Sequence, residues 1–444
     1  MNLFDELEWR GLVYGATEGA REALAEEKVT AYIGFDPTAA SLHVGHLLPI
    51  MGLARLQRFG HAPIALVGGG TGLIGDPSGK TQERLLLTPE KVEENLQGIR
   101  SQLERFLDFE ARENPARIVN NGEWLTTIPL TDFLRDIGKH FTVNAMLAKE
   151  SVKRRLEQED GISFTEFSYM LLQAYDFLVL FDRFGCTFQM GGSDQWGNIV
   201  AGADLIRRLR AGRSDRGEAT PAEGQAEKAK RLAHGVVFPL VTTSAGVKFG
   251  KTEAGTIWLD PNLTPPFRFY QFWINTDDRD VIKYLKSFTW LSREEIAALE
   301  EQVASAPEKR EAQKRLAREI TRAVHGEEGL ARAEMATRIL FGEEIAGLEP
   351  AEIEEVFADV PSSQVAASSL AGEGTPLADL LAASGLVPSK AEARRAIRGG
   401  GMYVNNVRVG EETRKITAED ALGGRLLVLR KGRRDYHLVR ISAD

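Results

Sequence analysis

The chain has 444 residues, 43% hydrophobic and 27% charged, with a formal net charge of −9 and a single cysteine, Cys186. That length exceeds what one core supports, so roughly two to four domains are expected, and the composition excludes a chain disordered throughout. No run reaches the roughly 18 apolar residues of a membrane helix, Met1 to Arg10 mixes acids and bases, and a lone cysteine makes neither an internal disulfide nor a cysteine metal site, so the expectation is a cytoplasmic protein with no membrane span.

The charge is uneven. Residues 375–444 hold 13 Lys and Arg against 8 Asp and Glu, net +5 against the whole-chain −9, so residues 1–374 carry −14. An acidic body with a basic end suits an anionic partner at that end.

Lys28 to Phe35 (KVTAYIGF) predicts a strand, and Leu47, Ile50, Met51 and Ala54 then recur at helical spacing. Ala62 to Val67 predicts a second buried strand opening into Gly68-Gly69-Gly70. Such alternation predicts a parallel sheet with helices on both faces and ligands at the carboxyl ends of the strands. Thr88 to Lys153 reads as mostly helical. Phe164 to Phe181 predicts a long helix on which Tyr169, Gln173 and Asp176, spaced i, i+4 and i+7, share one face. Arg207 to Ala233 has little apolar periodicity and reads as an exposed insertion, followed by a strand at Val236 to Val241.

Helices are then predicted at Asp277–Phe288, Ser292–Ser305, Pro307–His325 and Glu327–Phe341. Glu343 to Gly374, with repeated Ser and Ala, Pro361 and Gly372-Glu373-Gly374, reads as a hinging linker. Two short helices, Ala378–Ser384 and Lys390–Arg398, and strands at Met402–Val409, Arg425–Arg430 and Tyr436–Ile441 complete the chain. The expected domains are therefore 1–262, 263–342 and 375–444, with 343–374 between the last two.

Two motifs carry chemistry. His43-Val44-Gly45-His46 sits where a strand gives way to a helix, so free amides and the positive end of the helix dipole favour phosphate, and two imidazoles add donors. Gly45 lets a flat base approach the backbone. Some two hundred residues on, Lys248-Phe249-Gly250-Lys251-Thr252 places two lysines on a loop flanked by Gly246 and Gly255. Alone, the first is also what a structural histidine pair produces, and the second what a solvated turn produces. Together they supply a polyphosphate site with no G-x-x-x-x-G-K anywhere in the chain.

The pair resembles the HIGH and KMSKS signatures of class I aminoacyl-tRNA synthetases. Tyr32-x-Gly34-Phe35-Asp36-Pro37-Thr38, Gly72 to Lys80 (GLIGDPSGK), Phe164 to Met170 (FTEFSYM) and Gly191 to Asn198 (GGSDQWGN) narrow the resemblance to the bacterial tyrosyl-tRNA synthetase family, over essentially the whole chain.

The resemblance implies a Rossmann-type parallel-sheet catalytic domain, an α-helical domain contacting the anticodon region, and a small α+β S4-like RNA-binding domain. It implies activation of L-tyrosine with ATP to tyrosyl-adenylate, transfer to tRNA(Tyr), and a homodimer. Tyr32 and Asp176 would hydrogen-bond the substrate's phenolic hydroxyl, while Asp76, Tyr169 and Gln173 would hold its ammonium. Phenylalanine would be rejected because its missing hydroxyl leaves buried groups unpaired, a rule for which this enzyme class is the standard illustration. Gly34, Asp36, Gly45, Gly192, Asp194, Gln195 and Lys251 would surround ATP. Thr38, His43, Lys248 and Lys251 would contact the departing pyrophosphate, His46 would position the nucleotide, and Lys80 and Arg84 would reach the phosphates from a loop. Mg2+ would accompany the ATP, held mainly by phosphates and water rather than by a carboxylate cage. Arg394, Arg395 and Arg398, on a short helix of the S4-like tail, would grip RNA phosphates.

A tryptophan-specific relative would share the signatures but not the Tyr32 and Asp176 pair or the tail. Adenylyltransferases with an H-x-G-H site would lack the tail, and a non-catalytic RNA-binding paralogue would have lost the phosphate-handling residues. Three departures stand out: Ala40 where aspartate is common, Val44 for the isoleucine of HIGH, and a long insertion between Arg207 and Ala233.

Overall fold

The computed structural model describes residues 2–77, 87–157, 161–214, 232–244, 246, 249–252, 255–433 and 435–442. Six strands, β1 (Gly15–Ala16), β2 (Thr30–Phe35), β3 (Ala62–Val67), β4 (Arg117–Asn120), β5 (Cys186–Gly192) and β6 (His234–Phe238), form one sheet in the order β1-β6-β5-β2-β3-β4. Strands β2 to β6 pair in parallel, and the short edge β1 runs antiparallel to β6. Parallel pairing requires crossovers. Helix α1 (Leu47–Arg58) joins β2 to β3, α2 (Pro89–Leu103) lies between β3 and β4, α3 (Phe164–Phe184) precedes β5, and α4 (Trp196–Ser214) joins β5 to β6. From β2 the chain winds one way through β3 and β4 and then the other way through β5 and β6. The reversal puts a crevice at the carboxyl ends of β2 and β5, where open parallel sheets bind ligands.

Helix α3 begins where the Ser163 hydroxyl accepts the Glu166 N–H and ends at Gly185 in the left-handed region, φ 63. Its Met170, Ala174, Phe177 and Phe181 are buried with Tyr32 of β2, Ile64 of β3 and Val119 of β4 in one cluster. Each fully buried Phe or Leu there contributes roughly 2–3 kcal/mol.

The structure corrects several expectations. Thr88–Lys153 is mostly helical as expected, but β4, which was not anticipated, lies inside it; four residues are too short for a periodicity, and Val119 alone among them is buried. The strand expected at Val236–Val241 starts earlier, at His234, and ends at Phe238. Arg207–Ser214 is the end of α4, and the rest of the expected insertion, 215–231, lies outside the described residues.

Four helices follow β6: α5 (Pro266–Ile274), α6 (Asp278–Phe288), α7 (Arg293–Ser305) and α8 (Glu311–Leu340), the last broken at Gly326 with φ 73 and ψ −178. The chain divides into one unit of Met1–Leu263 with Thr276–Leu316 and another of Thr264–Asn275 with Ala317–Asp444. Residues 263–342 therefore form no body of their own. Helix α6 belongs to the sheet unit because Tyr284 and Phe288 pack on Phe249, and because Arg10 and Arg55 donate to carbonyls at its C-terminus.

In the second unit the elements include α9 (Pro350–Val356), β7 (Ser362–Ala366), α10 (Leu377–Ala383), α11 (Lys390–Arg398), β8 (Met402–Val404), β9 (Val407–Val409), β10 (Leu426–Lys431) and β11 (Asp435–Ser442). Their sheet runs β9-β8-β10-β11-β7. Asn405 and Asn406, at φ 50 and 64, turn what read as one strand into the β8–β9 hairpin. Nor is Glu343–Gly374 a free linker. Strand β7 pairs in parallel with β11, and Ile353, Val356 and Phe357 are buried with Leu426, Val428 and Leu438. An edge strand of sequence SSQVA, never more than half-buried, carries no hydrophobic signal of its own.

Candidate active site

The crevice at the ends of β2 and β5 is a cavity of about 880 Å³. It is lined by Tyr32, Gly34, Asp36, Thr38, His43, Gly45 and His46 from the first motif region, by Asp76, by Tyr169, Gln173 and Asp176 from α3, and by Gly192, Asp194 and Gln195 after β5. Gly34 is the exposed position of an otherwise buried strand, and a Cβ there would meet nothing within 4 Å, so its missing side chain is open cavity.

At the buried end, Tyr32 is 1% exposed and its hydroxyl has no hydrogen-bond partner among the described residues. Beside it Asp176, also 1% exposed, accepts from Trp124 Nε1 at 2.7 Å and from Asn121 Nδ2 at 2.9 Å. Burial pushes the Asp176 carboxyl up to about 8 against the pull of those two donors, and burial with the Asp176 charge raises the Tyr32 phenol well above its ordinary value. A carboxyl group with both oxygens accepting and a phenol with an idle hydroxyl form a receptor for one more hydroxyl group.

Above them runs a connected polar network. Asn121 Nδ2 also donates to Thr71 Oγ1 at 3.0 Å, Thr71 donates to Asp36 Oδ1 at 2.9 Å, and the Tyr169 hydroxyl donates to Asp36 Oδ2 at 2.9 Å. Burial first, then Asp36 and Asp76, hold the Tyr169 phenol protonated. Gln195 Nε2 donates to Asp76 Oδ2 at 2.7 Å, and Asn198 Nδ2 donates to Gln173 Oε1 at 2.9 Å. Asp76, Tyr169 and Gln173 thus present acceptors held by their neighbours, and Gln195 is tied to that set.

The first motif is built by its backbone. His43 Nδ1 accepts the Gly45 N–H at 3.0 Å, and His46 Nδ1 accepts the His43 N–H at 3.2 Å, so in each ring the proton of the neutral imidazole sits on Nε2. A Cβ on Gly45 would lie 2.7 Å from His43 Cε1, so the turn admits only glycine without repacking. The second motif meets the first directly. Gly250, at φ 87, has Gly45 N and Val44 Cγ2 within 3.3 Å of where a Cβ would stand. The Val44 N–H donates to Ile257 O at 3.0 Å, and the Leu259 N–H donates to Leu42 O at 2.9 Å. Lys251 opens a two-residue strand pairing with Gly255–Thr256. Lys80, Arg84 and Lys248 lie outside the described residues.

Asn121, Trp124, Thr71 and Asn198 escaped the reading of the sequence. Asn120-Asn121-Gly122 is the turn after β4, and reading that strand first would have put Asn121 at its carboxyl end. In the second unit Arg394, Arg395 and Arg398 are exposed on α11, which Ser389 caps by accepting the Glu392 N–H. Arg398 is paired with Glu412.

Comparison with known proteins agrees with this geometry. Residues 24–342 match the model of the family described as tRNA synthetases class I (W and Y), and residues 352–439 match the tyrosine--tRNA ligase SYY-like C-terminal domain. A tyrosine--tRNA ligase of Roseiflexus castenholzii is 56% identical over 439 residues, 99% of each chain, and one of Geobacillus stearothermophilus is 54% identical over the whole of both. A C-terminally truncated mitochondrial tyrosyl-tRNA synthetase of Aspergillus nidulans superposes with a TM-score of 0.67 at 34% identity, covering 77% of this chain and 94% of that one. Identity above one half from end to end, on a sheet whose switch point joins the histidine and lysine motifs, makes the chain a member of the tyrosyl-tRNA synthetases of class I.

Proposed function

We propose that the cavity seats L-tyrosine with its phenol between Tyr32 and Asp176, its ammonium at Asp76, Tyr169 and Gln173, and its carboxylate facing ATP at the His43–His46 turn. The chemistry is that of the family: tyrosine and ATP give tyrosyl-adenylate and pyrophosphate, and the tyrosyl group then passes to the 3′ end of tRNA(Tyr). The idle buried hydroxyl of Tyr32 beside a doubly hydrogen-bonded Asp176 carries the substrate assignment. A bound phenol completes both groups, whereas phenylalanine leaves both short.

Tyrosine's carboxylate is already ionised at neutral pH, so no general base is required. Its oxygen forms a bond to the α-phosphorus as the bond to pyrophosphate breaks, and charge grows on the departing β- and γ-phosphates. Donors aimed at that charge lower the barrier. Thr38, Lys248 and Lys251 take that role with His43, whose Nδ1 accepts the Gly45 N–H and so leaves the proton of the neutral ring on Nε2. His46, Gly45, Gly34, Gly192, Asp194 and Gln195 position the nucleotide, Asp194 accepting from ribose hydroxyls. Lys80 and Arg84 add positive charge at the phosphates. Asp36 acts through Thr71 and Tyr169. In the second step the terminal ribose hydroxyl of the tRNA attacks the tyrosyl carbonyl and AMP leaves.

Magnesium would neutralise phosphate charge on arriving with ATP, held mainly by phosphates and water. Arg394 and Arg395 contact tRNA phosphates, helices of residues 263–342 meet the anticodon region, and the protein works in the cytoplasm as a homodimer. The exposed Leu130, Leu134, Val143 and Phe164 support an interface. No helix among the described residues is long and apolar enough to cross a membrane. ATP–pyrophosphate exchange with each of the twenty amino acids tests the assignment: tyrosine alone should stimulate exchange strongly, and its failure to do so overturns the reading.

A further inference from the structure

The Arg55 side chain lies where no substrate reaches. It is 0% exposed on α1, the helix that begins directly after His46, yet it carries a charge into the core. Its Nη2 donates to the carbonyls of Lys286 at 3.3 Å and Thr289 at 3.0 Å, the last carbonyls of α6. Arg10 donates to the same two oxygens at 2.9 and 3.3 Å, and to Leu291 O at 2.9 Å. Two guanidiniums converge on one helix end with a single carboxylate, Glu6, bonded to Arg10 at 2.5 Å. Nε and Nη1 of Arg55 have no hydrogen-bond partner among the described residues, and the guanidinium lies 5.3 Å over the Trp290 ring. Burial and the Arg10 charge lower the Arg55 guanidinium to about 9, leaving it charged at neutral pH. An apolar side chain of similar volume would leave no orphaned donors but would give up both carbonyl bonds, so what the arginine adds here is a tie between α1 and the end of α6.

The same end of α6 also carries the support of the lysine motif. Tyr284 and Phe288 hold the Phe249 ring, at centroid distances of 4.9 and 5.5 Å, and Phe249 is the second residue of the lysine motif. Gly250, next in line, lies against Gly45. A closed circuit therefore runs from the histidine motif through α1 and Arg55 to α6, through Phe249 to the lysine loop, and back to the histidine motif. We propose that Arg55, backed by Arg10, is a positioning residue for adenylate formation: it fixes α6 against α1 and so sets where Phe249 and Gly250 of the lysine motif stand against the histidine turn.

This rests on reading the cavity as the site of adenylate formation. The test uses the full-length protein, with single-turnover formation of tyrosyl-adenylate followed across ATP concentrations and tyrosine affinity measured separately by equilibrium dialysis. Arg55→Met should slow adenylate formation by about tenfold to a hundredfold, the scale of a misplaced catalytic group, with the tyrosine Kd within about twofold of wild type. In a Phe249→Leu background the same change should cost less than about threefold, because the circuit is already open. Arg55→Lys, which keeps the charge but not the fork, should show the same split and serves if the Met variant does not fold. Parallel loss of tyrosine affinity and rate, or full additivity with Phe249→Leu, overturns the inference. A wild-type protein that makes no adenylate refutes instead the reading on which it rests.

Discussion

Tyr32→Phe removes one oxygen and should move two measurements in opposite directions. In the ligand-free protein the Tyr32 hydroxyl is buried without a partner among the described residues. An unsatisfied buried hydroxyl costs about 1–3 kcal/mol, so its removal should stabilise the ligand-free chain by about 1 kcal/mol, roughly 2 °C in unfolding midpoint for a unit of this size. With tyrosine bound, the same oxygen makes a neutral hydrogen bond worth about 1 kcal/mol, lost in the variant, while phenylalanine gains about 1 kcal/mol because its methine no longer faces an orphaned donor. The two terms together lower discrimination in kcat/KM by about 2 kcal/mol, roughly thirtyfold. Asp176, with both oxygens still held by Asn121 and Trp124, retains the rest of the discrimination. The assays are thermal unfolding without ligand and ATP–pyrophosphate exchange with tyrosine and phenylalanine. A lowered midpoint together with an unchanged ratio of the two kcat/KM values would refute the argument.

Asp176→Asn should reveal the raised pKa through pH. The folded carboxyl binds its proton up to about pH 8 and the unfolded one only to its ordinary value of 3.8, so wild type loses stability relative to the variant as pH rises between those limits, by about 1.4 kcal/mol per unit. Urea unfolding at pH 5, 6.5 and 8 reads that slope, and parallel curves for the two proteins would count against it. Lys251→Ala should slow adenylate formation by about a hundredfold or more with little change in tyrosine affinity, measured by single turnover and dialysis; equal losses would remove Lys251 from the pyrophosphate site. Replacing Arg394 and Arg395 together by alanine should weaken tRNA binding and lower the salt slope of log K by about 1 to 2 while leaving pyrophosphate exchange intact. Arg398→Ala should do less, since its guanidinium is engaged by Glu412; the readout is filter binding across salt concentrations.

What the sequence made legible was set by how far each signal reaches along the chain. Tyr169, Gln173 and Asp176 declared themselves because a helix repeats its face every three to four residues and their neighbours are apolar. Tyr32 and Gly34 were visible because a β-branched run ends there in turn chemistry. Strand β4 was not legible, since four residues with one fully buried position carry no period, and with it went Asn121, whose amide joins Asp176 to Thr71 and thence to Asp36. Strand β7 was misread for the same reason. Its pairing with β11 is a long-range contact, and polar edge residues announce nothing locally.

The same limit explains why the two signature motifs looked independent. Each has a local reading, a phosphate-binding turn and a basic loop, and neither contains the residues that relate it to the other. That relation lies in groups silent at the level of pattern: a carbonyl at the end of α6, a buried guanidinium facing it, and an aromatic ring between two others. Adenylate formation demands no proton transfer from the protein, so its rate depends on where donors stand as charge moves onto pyrophosphate, and small displacements are costly. A displaced frame therefore costs such a reaction as a lost donor does. In this fold an arginine that is expensive to bury stands between the helix of one motif and the support of the other, where it holds that frame.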